Sequence, residues 1–146
     1  MKTILSRMKT LVDSNNNSGG TLSYVREAEV VHPEIALTTI TVASLPKIVF
    51  TPVSTSEEWI ASGRKQAVNV VEAFLIMMYH QRESNLLGAS SRPVGQGKGI
   101  TDFVADFLSV FRGHRLSTDG AIYLAKPLDI LETEYFREDW SESAHL

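Results

Sequence analysis

Four histidines, His32, His80, His114 and His145, are the residues best suited to hold a metal or shuttle protons, and they stand singly along the chain. None shares the i, i+4 spacing that puts two imidazoles on one helix face, and none sits at ligand-set spacing from carboxylates. His114 reads as a polar residue just past a helix end, and His80 as the exposed end of a strand. Gly95-Gln96-Gly97-Lys98-Gly99 precedes a helix, where glycines let backbone N–H groups approach a phosphate. A phosphate loop also needs glycine at position 92 and Ser or Thr at position 99. The chain has Arg92 and Gly99 there, so the segment reads as a connecting loop.

Asp102 and Asp106 fall one helical turn apart and could be cast as general acid and base. Neither has an obvious apolar cage to raise its pKa, so both read as a solvated helix face. Ser54-Thr55-Ser56 and Ser90-Ser91 lack the Gly-x-Ser-x-Gly elbow of a serine nucleophile. The absence of cysteine removes thiolate chemistry and disulfides and fits a reducing compartment. The sequence therefore predicts no catalytic centre, no metal and no cofactor.

What remains is a set of side chains suited to partner contacts, since aromatics and arginines are favoured at interface centres. Trp59 sits beside Glu57 and Glu58, Arg64-Lys65 follows, and Tyr135-Phe136 with Trp140 lies near the end. The candidate interface residues are Trp59, Arg64, Lys65, Arg92, Lys98, Arg112, Arg115 and Trp140. Against this stands a plainer reading, in which Trp59 and Phe136 complete the core and the charged residues are solvated.

The elements that must position these residues follow from periodicity. Ile4, Leu5, Met8, Leu11 and Val12 form one apolar stripe and predict a helix over residues 2–13. Eight consecutive turn-formers, 13–20, then end it. Residues 21–26 suit a short strand, while 27–33 has no firm period, and Pro33 disfavours a helical His32. The β-branched run 35–42 and the segment 47–53 read as two strands, the second closed by Pro52 and the Ser-Thr-Ser cluster. Residues 54–59 read as an acidic loop, and 66–81, apolar on both faces, as a middle strand of the sheet.

Residues 87–99, with four glycines and a proline, predict an exposed mobile loop. Ile100, Phe103, Val104, Phe107, Leu108 and Phe111 recur at helical spacing and predict an amphipathic helix. Asp102 suits its N-terminal dipole end, Arg112 its C-terminal end, and Gly113 a left-handed cap. Two closing strands, 121–124 and 128–136, precede an acidic tail over 137–146. The expected fold is a single α+β domain over 1–136, a mainly antiparallel sheet with the N-terminal helix and the central amphipathic helix packed on one face.

Composition agrees with one soluble domain. The chain has 146 residues, 43% hydrophobic and 21% charged, with a mean hydropathy of −0.04. At this length folding hides roughly 68–70% of the unfolded surface. A net charge of −3 argues against a protein that grips nucleic-acid phosphates. No stretch is long or apolar enough for a signal-peptide core or a membrane span, so no membrane association is expected.

Taken in order, the N-terminal helix, Leu45-Pro46-Lys47-Ile48-Val49-Phe50-Thr51-Pro52, Glu57-Glu58-Trp59, the long strand, the glycine loop, the 100–112 helix and Arg112-Gly113-His114-Arg115-Leu116 with its two closing strands form a pattern. Over residues 4–136 it resembles the tail terminator, or tail-completion, proteins of long-tailed bacteriophages. The likeness is one of element order rather than a signature motif. It implies a structural subunit that assembles in the host cytoplasm and resides in the virion. Its partners would be further copies in a homohexameric ring, the tail tube protein, and the head-tail connector or stopper protein. Genomic DNA would pass through the channel without specific binding.

A cyclic ring uses two different patches per subunit and can cover strand edges. Acidic residues facing the channel, Glu57 and Glu58 or the C-terminal acids, would repel passing phosphates. The 87–99 loop and the 14–20 turn would dock onto tube or connector. Two rivals remain. A neck connector or stopper shares the ring logic with a different neighbour. A small-molecule-binding or enzymatic α+β domain would need polar groups converging on a pocket beside helix 100–111, whose buried face is apolar.

Overall fold

The first apolar stripe folds into helix α1, Lys2–Asn15, which buries Leu5, Met8 and Val12. It runs two residues past the expected end. Ser14 Oγ and Asn15 Nδ2 both donate to the Leu11 carbonyl, at 2.9 Å each, so these turn-formers complete the last turn instead of breaking it. The reversal that follows needs glycine. Gly19 has φ +88°, and a Cβ on Gly20 would collide with the Asn15 carbonyl.

The computed structural model describes residues 1–32, 44–60, 63–77, 98–116, 128–130 and 132–135. Residues 21–26, expected as a strand, instead form successive turns. Ser23 N–H donates to Gly20 O at 3.1 Å and Val25 N–H to Leu22 O at 3.0 Å. These local bonds occupy the backbone and send Leu22 and Val25, three apart, into the core. The strand lies just beyond: β1, Glu27–Val30, in the stretch without a firm period.

β1 pairs parallel with β2, Lys47–Trp59, which pairs antiparallel with β3, Lys65–Ile76, in a three-stranded mixed sheet ordered β1-β2-β3. Two corrections concern β2. The strand does not close at Pro52, which stays in register with Val71, while a bulge between Pro52 and Ser54 takes up Val53. Residues 54–59 are therefore strand, held by pairing with β3. β3 was expected in the middle of the sheet. Among the described strands β2 is central and β3 lies at an edge. β3 is in register with β2 at twelve positions.

Helix α2, Ile100–Phe111, has the expected bounds and buries Phe103, Phe107 and Phe111. Asp102 accepts the Gly99 N–H at 2.9 Å, and Gly113 takes φ +73° just past the end. Both helices share one core with Ala28, Ile48 and Phe50, so they lie on the same face of the sheet. The Phe50 ring lies 5.8 Å from Phe111, and Phe111 stacks on Phe107 at 4.3 Å. Each such burial contributes about 1.5–3 kcal/mol. The fold is α+β, as expected.

Two closing strands were expected. Residues 128–130 and 132–135 have no strand assignment. Leu128 instead exchanges backbone bonds with the end of α2, accepting from Gly113 N–H at 2.9 Å and donating to His114 O at 2.8 Å. The strand expected over 35–42, most of the 87–99 loop, the 121–124 strand and the 137–146 tail lie outside the described residues.

Candidate functional site

The sequence Ser54-Thr55-Ser56-Glu57-Glu58-Trp59 offers almost nothing to bury, and every residue from Val53 to Trp59 is exposed. It is nonetheless ordered strand, because cross-strand pairs hold it to β3. Thr55 Oγ1 donates to its register partner Asn69 Oδ1 at 2.9 Å, and Gln66 Nε2 donates to Glu58 Oε1 at 3.1 Å. Glu57 and Lys65 approach to 3.8 Å, and the Lys65 ammonium sits 5.0 Å from the Trp59 ring centre. Contacts of this kind are worth about 0.2–1 kcal/mol each. The turn closes through Ile60 N–H to Arg64 O at 2.8 Å and Gly63 N–H to Ile60 O at 3.0 Å, with Gly63 at φ +72°.

The outer hairpin is thus an arm whose faces are set by register. Thr55, Glu57 and Trp59 share one face with Asn69, Ala67 and Lys65; Ser54, Ser56 and Glu58 share the other with Val70, Val68 and Gln66. Glu57 and Glu58, the candidate channel-facing pair, consequently point to opposite faces. Trp59 is 71% exposed, which overturns the reading that it completes the core. Arg64 and Lys65 are exposed beside it, so three of the expected contact residues meet at one tip.

The remaining expected contact residues are placed elsewhere. Arg112 and Arg115 are exposed past the end of α2. Lys98 is half-buried and holds Asp106 at 3.1 Å, its ammonium 5.7 Å from the Tyr24 ring centre. It is tied into the fold instead of standing on an open surface. Arg92 and Trp140, like Phe136, lie outside the described residues.

Asp106 is also not on a solvated helix face. It is half-buried and accepts the Tyr24 hydroxyl at 2.7 Å. Burial, then the hydrogen bond and negative charge of Asp106, then the charge of Asp102, push the Tyr24 hydroxyl far above its ordinary value. A phenol so disposed donates and does not ionise, and it makes a tie between the 21–24 turn and α2. Sequence reading missed this cluster because its partners are 82 positions apart.

Among the described residues, no group of three or more His, Cys, Asp or Glu is placed to hold a metal ion, and no helix is long and apolar enough to cross a membrane. Comparison with known proteins finds no matching family model, no matching curated protein and no matching solved structure.

Proposed function

We propose that this chain is a structural subunit of a phage virion, forming a ring that caps the tail tube and joins the tail to the head connector. The observation that carries the reading is the β2–β3 arm. A paired hairpin with exposed Trp59, Arg64 and Lys65 near its tip offers side chains to something outside its own core, and aromatic and arginine side chains are what interface centres use. Ring closure requires two unlike patches per subunit, and the arm supplies one. The other partners are the tail tube protein and the connector or stopper.

In this setting acidic side chains along the channel repel DNA phosphates. Because Glu57 and Glu58 lie on opposite faces of the arm, only one of them faces the channel from a given arm orientation. Neutralising the inward one changes the salt dependence of DNA ejection.

Removing the protein from the virus tests the reading. Overlong tails that fail to join heads are the expected product. Normal tails beside leaking, filled heads would move the protein to the neck as a connector or stopper.

A further inference from the structure

A strand carries backbone donors and acceptors along both edges, and each edge is either paired or open to a further strand. β1 pairs with β2 as far as Phe50, whose carbonyl accepts the Val31 N–H at 3.1 Å. Pro52 follows, and from Val53 to Trp59 no described strand lies along that edge. The bonds of the hairpin fix which groups are open there. Ile60 N–H donates across the hairpin to Arg64 O, so at alternate positions Glu58, Ser56 and Ser54 turn their backbone groups to β3. Trp59, Glu57 and Thr55 turn theirs to the open edge. The two ends of this run are apolar and uncovered, Val53 at 57% and Trp59 at 71% exposure.

The run matches its own reverse. Laid antiparallel about Ser56, Trp59 of each copy falls opposite Val53 of the other, Glu58 opposite Ser54, and Glu57 opposite Thr55. Aromatic and β-branched residues are a favoured cross-strand pair, and in this register no acid directly opposes an acid. Centring the pair on Glu57 or on Glu58, or running the strands parallel in register, sets like charges directly opposite. The open backbone groups also meet: Thr55 of one copy exchanges both its outward bonds with Glu57 of the other. The ladder stops on either side at Pro52, which has no N–H to give. We infer that two copies pair edge to edge through Val53–Trp59, antiparallel and centred on Ser56, joining β2 and β3 of both copies in one continuous sheet. The occupant is a second copy because the run complements itself in charge and in apolar ends at once. The inference needs two copies only and does not rest on the ring reading.

Disulfide trapping tests it, since the chain has no native cysteine. In this register the two Ser56 residues form a non-hydrogen-bonded pair with Cα atoms about 4.5 Å apart, within disulfide reach. The two Ser54 residues lie about 14 Å apart along the ladder. Ser18, Ser54 and Ser56 are all exposed. Under mild oxidation Ser56→Cys is expected to dimerise about tenfold faster than Ser54→Cys or Ser18→Cys. Ser54→Cys mixed with Glu58→Cys is expected to give the mixed dimer ahead of either homodimer. Ser56→Cys linking no faster than Ser18→Cys would overturn the inference, whether the edge stays open or another stretch of this chain fills it. Equal rates at Ser54 and Ser56 would overturn the register and the inference with it. The backbone ladder has its own test. Glu57→Pro deletes an outward N–H and no bond to β3, so the folded state, checked by circular dichroism, is retained while Ser56→Cys linking in that background slows about tenfold. Glu57→Gln keeps the N–H and keeps the linking. Unchanged linking in the folded Glu57→Pro background would overturn the ladder. A dimer that never grows would uphold the arm pair and contradict the ring; a larger closed species in which Ser56→Cys does not link would do the reverse.

Discussion

The two halves of β2 are one continuous strand with opposite surroundings. From Lys47 to Thr51 every residue is buried, whereas from Val53 to Trp59 every residue is exposed. The inner half is covered on both faces: Ile48 and Phe50 meet the helices, while Lys47, Val49 and Thr51 are buried on the other side. Among the described residues, the outer half is held by its pairs with β3. The inner half therefore carries folding stability, and the outer half presents side chains at little energetic consequence to the fold.

The sharpest break of this contrast is a matched pair of truncations. Phe50→Ala removes a ring packed on Phe107 and Phe111 and is expected to cost about 3–5 kcal/mol in denaturant unfolding. Trp59→Ala, at an exposed position, is expected to change folding stability by less than about 0.5 kcal/mol. A large folding cost at Trp59 would mean that the arm is part of the core.

Next in size is the charge within the inner half. Lys47 is 3% exposed and is compensated by Glu29 at 2.6 Å and Glu27 at 3.5 Å. Replacing both carboxylates, Glu27→Gln with Glu29→Gln, strands a buried ammonium and is expected to cost about 2–3 kcal/mol. The equivalent change on the arm, Glu57→Gln, which leaves an exposed Lys65, is expected to be nearly silent in the same unfolding measurement.

The position of this boundary was only partly legible in the sequence. α2 was readable to the residue because its phenylalanines repeat at helical spacing and its ends carry Asp102 and Gly113. β2 was readable only over its buried half, where Ile48, Val49 and Phe50 speak for a covered strand. Beyond Pro52 the Ser, Thr and Glu residues carry loop chemistry, and what makes them strand is pairing with β3, a tertiary effect that local propensity does not express. The gathering of Trp59, Arg64 and Lys65 at one tip was legible as a cluster in sequence, but its projection from the core was not. The contact between Tyr24 and Asp106, 82 positions apart, had no sequence signal.

Two smaller effects sharpen the comparison. Thr51 Oγ1 is buried with no hydrogen-bond partner among the described residues. Thr51→Val keeps the shape and is expected to raise stability by about 1 kcal/mol by thermal or chemical unfolding, whereas Thr55→Val on the arm, which breaks a bond to Asn69, is expected to lower it slightly. Tyr24 provides the pH test. Its folded-state pKa lies above the ordinary value of 10.0, so its contribution is fully present below pH 10 and is lost as the unfolded chain's tyrosine ionises at higher pH. Stability of the intact protein should therefore fall more steeply above pH 10 than that of Tyr24→Phe. Equal slopes would remove Tyr24 from the tie to α2.

The central claim is that the arm exists to assemble copies of this chain into a ring. Mass measurement of the purified assembly tests it most directly, comparing the intact protein with one whose arm is shortened to a tight turn after Pro52. A closed species at six times the 16.2 kDa subunit mass, reduced to monomer by shortening the arm, is the predicted result. A ring that persists without the arm, or an intact protein that stays monomeric at every concentration, would contradict it.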